Sequence, residues 1–150
     1  MMHVSPGEIA REKKLYDGWD EDLQTNILDE DKLLDTMETM FEEAEEDDEG
    51  EGIVVDFHMC EIFPERWFDL VLVLRAKTEV LFDRLTKRGY PEKKRSENME
   101  SEIMQVILDE AREAYDRNIV QELPSNTLED METNVARVEE WRKQWMVDHQ

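Results

Sequence analysis

Ile53-Val54-Val55-Asp56-Phe57-His58 is a run of apolar, β-branched residues that stops abruptly at a carboxylate. A second apolar run, Phe68-Asp69-Leu70-Val71-Leu72-Val73-Leu74-Arg75, follows closely. Apolar residues do not alternate with polar ones in either run, which is typical of strands buried on both faces of a parallel sheet. We therefore predict two such strands within an α/β domain.

Asp56 and His58 lie where the first predicted strand ends. In α/β proteins that handle nucleotides, ligands bind outside the carboxyl ends of the strands, and a carboxylate at that place organises Mg²⁺. The alternative is that Asp56 only ends the strand and begins a turn. His58 is placed to orient a group or shuttle a proton at a phosphoryl site, although a single histidine after a strand is more often a structural group.

Composition limits the class of protein. A chain of 150 residues fits one domain with a moderate core. Its 40 acidic and 18 basic residues give a net charge of −22, which argues against binding to nucleic acid or to an anionic membrane and favours a basic partner. Cys60 is the one cysteine, so we expect no internal disulfide and a reducing compartment such as cytosol or nucleus. We predict a packed thiol there. Because the longest apolar run, residues 70–74, is too short to cross a bilayer, we expect a soluble protein.

Helical patterns and turn residues alternate with these strands. Before the first apolar run they predict a strand stub at residues 4–6, a helix at 7–15, a turn with its tip at Asp17-Gly18 and a helix from Asp29 or Asp31. After the second run they predict a helix capped by Thr78 and ended at Gly89, followed by a loop at 90–98. The chain then continues with a longer helix at about 103–115, a strand at 119–123 and a last helix from Asn126 or Thr127. Three helices are predicted to bury an apolar face: Leu33, Leu34, Met37, Met40 and Phe41; Ile103, Ile107, Ala111, Ala114 and Tyr115; Leu128, Met131, Val135, Val138, Trp141 and Trp145.

The basic residues are concentrated in one short segment of this acidic chain. Within it lie Arg84, Lys87, Arg88, Lys93, Lys94 and Arg95. The concentration predicts a mobile basic flap that closes over phosphoryl groups and neutralises their charge during transfer. The alternative is a solvated helix end, because cations are favoured there, but that preference covers only the last turn. Arg11, in an early helix next to Gly7, is a second possible phosphate contact; taken alone it is more often a surface arginine.

Residues 42–52 are almost entirely acidic, and their like charges predict a solvated, mobile loop. A regulatory role, or binding of a basic partner, is the alternative for this run.

Several short motifs also occur in the order and near the spacing seen in one known family. They are Gly7-Glu8-Ile9-Ala10-Arg11-Glu12, Leu15-Tyr16-Asp17-Gly18, Ile27-Leu28-Asp29-Glu30-Asp31, Val54-Val55-Asp56-Phe57-His58, Phe63-Pro64-Glu65-Arg66-Trp67, Arg84-Leu85, Arg88-Gly89-Tyr90, Glu92-Lys93-Lys94 and Leu123-Pro124-Ser125-Asn126. Over nearly all of its length the chain resembles the small nuclear adenylate kinases, also known as coilin-interacting nuclear ATPases and grouped as adenylate kinase isoenzyme six.

The resemblance implies a parallel-sheet nucleoside monophosphate kinase fold and one domain over residues 1–150. It implies phosphoryl transfer from ATP to AMP, ATPase activity, Mg²⁺ dependence and a role in maturing the small ribosomal subunit, in nucleus and cytoplasm. The partners it implies are ATP, AMP and a basic small-subunit ribosomal protein, without membrane or direct nucleic-acid binding, and we expect a monomer. The rival interpretation is a non-catalytic acidic module that binds this basic protein, and a third is that the chain does nothing by itself.

Carried over by position, residues 7–28 resemble the monophosphate-binding segment, with Gly7 and Arg11 at the AMP phosphate. Asp56 matches the carboxylate that organises Mg²⁺, through water, and His58 matches the histidine after it. Residues 87–97 resemble the lid. The resemblance implies that Arg88, Lys93 and Lys94, within the lid, bind substrate phosphates. It also implies that Arg84, just before the lid, lies beside the transferring phosphate. Three features depart from the family: Glu8 replaces an Asp, Met59 replaces a Gly, and the acidic run before Gly52 is longer.

A fourth departure concerns the loop that holds ATP. The family begins with a strand, a Gly-x-x-x-x-Gly-Lys-Thr loop and a helix. This sequence has five glycines, none followed by Lys and no two at the required spacing. We therefore expect a fold that lacks the first strand, the P-loop and the first helix, and we hypothesise a truncated gene model or an alternative-start product. Because that strand lies between the two predicted strands in the related fold, we also expect exposed strand edges, low stability and low or no activity of the chain alone.

Overall fold

Strands and helices alternate along the chain in a computed structural model that describes residues 1–46 and 52–149. The elements are β1 (Met2–Val4), α1 (Pro6–Lys13), β2 (Tyr16–Asp20), β3 (Thr25–Leu28), α2 (Glu30–Glu46), β4 (Ile53–Val55), β5 (Val71–Arg75), α3 (Thr78–Lys87), α4 (Glu92–Ile103), α5 (Val106–Ala114), β6 (Val120–Pro124) and α6 (Leu128–Asp148). A single 3₁₀ turn, Glu65–Trp67, precedes β5 among these described residues.

The strands form three pairs, and two of the pairs are parallel. β1 pairs with β4, so that Met2 lies opposite Ile53 and Val4 opposite Val55. β5 pairs with β6 from Val71 opposite Val120 to Arg75 opposite Pro124, and β2 pairs with β3 in antiparallel fashion. Parallel pairs with helices between their strands confirm the α/β class. The strands predicted near residues 4–6 and 119–123 are therefore confirmed, each displaced by one or two residues.

The prediction that β4 and β5 are buried on both faces is wrong. Val71 and Val73 of β5 are buried, but Leu72 and Leu74 on its other face are 37% and 54% exposed. Ile53 and Val54 of β4 are also exposed. Each of these strands pairs with one neighbour within the described residues, and α5 packs against one side of β5. An apolar run therefore marked the strands correctly but did not show how many of their faces are covered.

The turn predicted with its tip at Asp17-Gly18 is a strand instead. These residues belong to β2, and the ladder with β3 shifts register between Tyr16 and Trp19. Gly18 has a φ of 111°, so the glycine serves an irregularity inside the strand. The turn itself follows at Asp20, whose carboxylate accepts hydrogen bonds from the N–H groups of Asp22 and Leu23.

The loop predicted at residues 90–98 is wrong from residue 92 onward, where helix α4 begins. Pro91 stands immediately before the helix, and its carbonyl accepts the N–H of Arg95 at 2.9 Å. Because the first N–H groups of a helix have no partner within the helix, a proline at this position costs no hydrogen bond. The charged residues that follow are good helix formers. The long helix predicted next is two helices, because Gln105 takes a left-handed φ of 57° between α4 and α5. Ile103 is exposed and Leu108 is buried in its place.

Helix α3 begins and ends close to the prediction, but Thr78 is not its cap. The cap position is Lys77, whose N–H donates to the side-chain oxygen of Asn126 at 2.6 Å. At the other end the N–H of Gly89 donates to Thr86 and that of Tyr90 to Leu85. Gly89 has a φ of 73°, and this arrangement is the Schellman ending that the glycine predicted.

Helix α6 starts at the predicted place with a different face inward. The hydroxyl of Thr127 accepts the N–H of Asp130 at 3.0 Å, which confirms the predicted cap. Leu128, Met131 and Val135 are exposed, so their predicted burial is wrong. Asn134 is buried instead, because its amide donates to the carbonyl of Pro124 at 2.7 Å.

Helix α2 confirms the predicted apolar face, since Leu33 and Met37 are fully buried. The helix continues through Glu46, so the first part of the predicted acidic loop at 42–52 is helical, which corrects that boundary. Residues 47–51 of the predicted loop lie outside the described residues.

The chain divides into two compact units, Met1–Trp67 and Phe68–Gln150. Val4, Ile9, Ala10, Leu33, Met37 and Phe63 form the core of the first unit, and Val71, Val73, Leu85, Leu108, Ala111, Tyr115 and Leu123 that of the second. The single domain over residues 1–150, with a monophosphate-binding segment at 7–28 and a lid at 87–97, stays a prediction, whereas residues 42–46 of the predicted acidic loop are helical.

Met37→Ala is expected to destabilise the protein by about 2–5 kcal/mol, because a buried Met replaced by Ala loses burial and leaves a cavity. The residue has 0% exposure in α2. Urea unfolding followed by circular dichroism measures the change, with exposed Thr39→Ala on the same helix as the control. A Met37→Ala curve that overlays the control would contradict this packing.

Candidate active site

Asp56 lies at the shared carboxyl end of two parallel strands. Its N–H donates to the carbonyl of Val4 at 3.1 Å, which extends the β1–β4 ladder by one step beyond Val55. The carboxylate is exposed. Ligands of parallel α/β proteins bind outside this edge of the sheet. Asp56 therefore lies at the end of a strand, as the sequence pattern predicted.

The chain passes from β1 directly into α1 at the same edge. Ser5 caps that helix by accepting the N–H of Glu8 at 3.4 Å. A methyl group placed on Gly7 would lie 4.0 Å from Cε2 of Phe57, the residue after Asp56. Arg11, one turn beyond Gly7 on the same helical face, is exposed. Gly7 therefore lies beside the end of β4, with Arg11 extending from the same helix.

His58 is exposed and its ring lies 4.2 Å from that of Phe57, centroid to centroid. A different histidine contacts Asp56: Nε2 of His3 lies 2.7 Å from Oδ2 of the carboxylate. Sequence reasoning missed this contact. The only signal for it is the strand register, which places His3 opposite Val54 and so on the same face as Asp56.

Arg84, in the second unit, binds backbone carbonyls. Its Nη1 donates to the carbonyl of Ser125 at 2.6 Å and its Nη2 to that of Asn126 at 3.3 Å. Because the side chain of Asn126 also caps α3 at Lys77, the β6–α6 loop is tied to α3 from both sides. The predicted place of Arg84 beside the transferring phosphate stays a prediction, and holding this loop is a further role.

Arg84→Ala is expected to lower the free energy of unfolding by about 1 kcal/mol, because two hydrogen bonds from a charged group are lost at a solvent-exposed position. Amide hydrogen exchange of Ser125 and Asn126 is expected to accelerate. Arg84→Lys keeps the charge without the planar pair of donors and serves as the matched variant. If Arg84 served only a bound phosphate, exchange in the ligand-free Arg84→Ala protein would equal that of the unsubstituted protein.

The other predicted flap residues follow α3 in the same unit. Arg88 is the cap residue directly after α3; its N–H donates to the carbonyl of Arg84, and its side chain is exposed. Lys93 is exposed in the first turn of α4. Nζ of Lys94 lies 4.3 Å from the centre of the Tyr90 ring, a cation–π contact. Arg84 thus binds the β6–α6 loop, whereas Arg88 lies directly before Gly89 and Lys93 and Lys94 follow it in the first turn of α4.

A buried ionic network that the sequence did not reveal holds the other end of α4. Nε of Arg75 donates to a carboxylate oxygen of Glu102, and Nη2 donates to the carbonyl of Glu102 at 2.9 Å. The side chains of both residues are about four-fifths buried, being 19% and 20% exposed. Arg75 and Glu102 are 27 residues apart, and a pair so widely separated leaves no helix or strand periodicity in the sequence. The sequence therefore did not predict this ion pair.

The residues fit a water-mediated Mg²⁺ rather than a closed metal centre. Among the described residues, no group of three or more His, Cys, Asp or Glu side chains could hold a metal ion. Mg²⁺ in nucleotide enzymes keeps several waters and is bound by one or two carboxylates together with substrate phosphates. An exposed carboxylate at the strand edge, which Asp56 supplies, meets that requirement.

In the first unit, the structure thus places Gly7 beside Phe57, the residue between Asp56 and His58, with Arg11 on the helix that bears Gly7. Arg84, Arg88, Lys93 and Lys94 belong to the second unit. An α/β chain with a carboxylate at a parallel strand edge and a cationic helix–turn–helix has the features of a nucleotide-handling protein.

Comparisons with known proteins agree with that class. Residues 1–105 match the family described as AAA domain. A protein of Dictyostelium discoideum named adenylate kinase isoenzyme 6 homolog is 50% identical over 145 residues, which cover 97% of this chain and 79% of that protein. The Caenorhabditis elegans protein of the same name is 50% identical over 146 residues, covering 97% and 78%. A Saccharomyces cerevisiae homolog of the same isoenzyme is 41% identical over 142 residues, covering 95% and 68%.

The chain belongs to the adenylate kinase isoenzyme 6 family. Its fold is the α/β, P-loop kinase-like fold, and its function is that of a nucleotide kinase-like protein. In the described part of the chain, no helix has both the length and the apolar character needed to cross a membrane.

Proposed function

We propose that this protein is an adenylate kinase and ATPase that transfers a phosphoryl group from ATP to AMP with Mg²⁺. One observation carries the proposal: the carboxylate of Asp56 stands at the joint carboxyl end of β1 and β4, where the chain enters the helix that bears Arg11. The names of the relatives support the reaction, since each is an adenylate kinase isoenzyme 6 homolog.

In this proposal the acceptor nucleotide binds at α1. Gly7 leaves the first turn of the helix open, and the exposed guanidinium of Arg11 binds the AMP phosphate through paired hydrogen bonds. His58, after β4, orients groups at the reacting phosphate or moves a proton there. The AMP phosphate is then held beside the carboxylate edge of the sheet.

Phosphoryl transfer requires positioning and charge stabilisation more than covalent participation by the protein. Arg88, Lys93 and Lys94 supply positive charge to substrate phosphates, and Arg84 does so beside the transferring group while it holds the β6–α6 loop. Asp56 would hold Mg²⁺ through water. When bound, the ion would supply positive charge that offsets the charge developing on the phosphate oxygens.

The second candidate is an acidic module that binds a basic small-subunit ribosomal protein without catalysis. The net charge of −22 and the exposed acids of α2 favour it. Either candidate is compatible with the further proposals of a role in small-subunit maturation, a location in nucleus and cytoplasm, and a monomeric chain.

Arg11→Ala tests the proposed acceptor site. We expect the KM for AMP to rise about 10-fold to 100-fold, because one charged hydrogen-bonding partner of a phosphate is lost. ATP hydrolysis in the absence of AMP is expected to stay unchanged. Steady-state assays of ADP formation measure both, with exposed Lys13→Ala on the same helix as the charge-matched control. An unchanged KM for AMP in Arg11→Ala would remove this residue from the acceptor site.

A further inference from the structure

The carboxylate of Asp56 is held by a neighbour from the adjacent strand. His3 lies opposite Val54 in the parallel β1–β4 pair, and Asp56 is two residues beyond Val54. Side chains on a strand alternate between faces, so His3 and Asp56 extend from the same face of this pair. Their contact, Nε2 to Oδ2 at 2.7 Å, is within hydrogen-bonding distance.

Stability does not account for this contact. The side chains of His3 and Asp56 are 60% and 68% exposed, and pairs this exposed contribute little to the free energy of unfolding. What the contact fixes is the orientation of an exposed carboxylate at the strand edge. It engages Oδ2, and Oδ1 has no hydrogen-bond partner among residues 1–46 and 52–149.

We propose that His3 is a positioning residue that holds the Asp56 carboxylate in the orientation needed for the water-mediated Mg²⁺ of the nucleotide. The proposal rests on the proposed function, which assigns Asp56 to that ion. Carboxylates that serve metals are commonly oriented by hydrogen bonds from neighbouring groups, and loss of such a neighbour lowers metal affinity about 10-fold to 100-fold. His3 does not touch substrate or metal and acts only through Asp56.

Two measurements on the full chain separate positioning from metal binding. In the metal-free protein, scalar couplings of the Asp56 side chain report its χ1 rotamer. With Mn²⁺ as the probe, added with and without ATP, paramagnetic broadening of the Val55 and Asp56 amide signals gives a dissociation constant at this edge. The variants are His3→Ala, His3→Gln, which keeps a hydrogen-bond donor, and Asp56→Asn; His149→Ala, an exposed histidine of the other unit, is the control.

We expect Asp56→Asn to abolish the broadening at Val55. His3→Ala is expected to average the Asp56 rotamer and to weaken Mn²⁺ binding about 10-fold, whereas His3→Gln restores most of the affinity. Amide spectra of all variants check that β1 and β4 remain paired.

An unaveraged Asp56 rotamer in His3→Ala, or an averaged rotamer with unchanged Mn²⁺ affinity, would overturn the positioning role. A different result marks failure of the proposed function: no Mn²⁺ broadening near Asp56 in the unsubstituted protein, with or without ATP. That result would overturn both, and the rotamer measurement would still show whether His3 holds the carboxylate.

Discussion

Arg88→Ala is expected to reduce the rate of phosphoryl transfer about 10³-fold, the lower end of the effect of removing an arginine that stabilises a transferring phosphate. The exposed Arg88 residue directly follows α3, and it contributes to the helix end through its backbone, whose N–H donates to the carbonyl of Arg84. Removing the side chain therefore leaves the Schellman ending intact. A loss of rate would then report charge stabilisation rather than misfolding.

Two variants make that result specific. Arg88→Lys keeps the charge but loses the planar pair of donors, and we expect it to recover only part of the rate. Arg137→Ala removes an exposed arginine of α6 and should leave the rate unchanged. Equal rates for Arg88→Ala and Arg137→Ala would show that Arg88 is a surface cation near a helix end, the alternative that the helix dipole already explains.

Asp56→Asn is expected to reduce transfer about 10²-fold to 10³-fold, comparable to the loss of one preorganised electrostatic group in an active site. The substitution keeps the size of the side chain and the backbone bond from Asp56 to Val4, but it removes the negative charge that would attract Mg²⁺. Transfer rates measured over a range of Mg²⁺ concentrations test this expectation.

Asp35→Asn, an exposed carboxylate on α2 in the same unit, is the matched control for that substitution. Both variants change the net charge equally. If both had the rate and Mg²⁺ dependence of the unsubstituted protein, Asp56 would only end a strand and begin a turn, which is the simpler interpretation of its sequence context.

The candidate site was predictable where it depends on the order of residues along one element. Asp56 follows an apolar run, so its position at a strand edge came from the sequence pattern alone. Gly89 ends α3 with a left-handed φ of 73°, a conformation that glycine adopts without the steric penalty of a Cβ atom. Local preferences and the tertiary fold agree at both residues.

The rest depends on contacts that no local pattern encodes. His3 meets Asp56 across 53 residues only because β1 and β4 pair in one register. By residue type, Gly18 favours a turn and Pro91 favours a loop, yet Gly18 lies at an irregularity within a strand and Pro91 immediately precedes a helix. Turn residues mark special backbone positions, but the surrounding fold decides whether each position lies in a loop, a strand or a helix start.

The central claim is that this protein is an adenylate kinase whose acceptor site includes Arg11, whose Asp56 serves the Mg²⁺ ion and whose basic flap includes Arg88. The most direct test follows ADP formation by the purified chain from ATP, with and without AMP, beside Arg88→Ala. We predict AMP-dependent ADP formation that is slow, because this sequence has no Gly-x-x-x-x-Gly-Lys-Thr loop, and that falls about 10³-fold further in the variant. Absence of turnover in a folded chain that still binds a basic small-subunit ribosomal protein would contradict the claim and establish the acidic binding module.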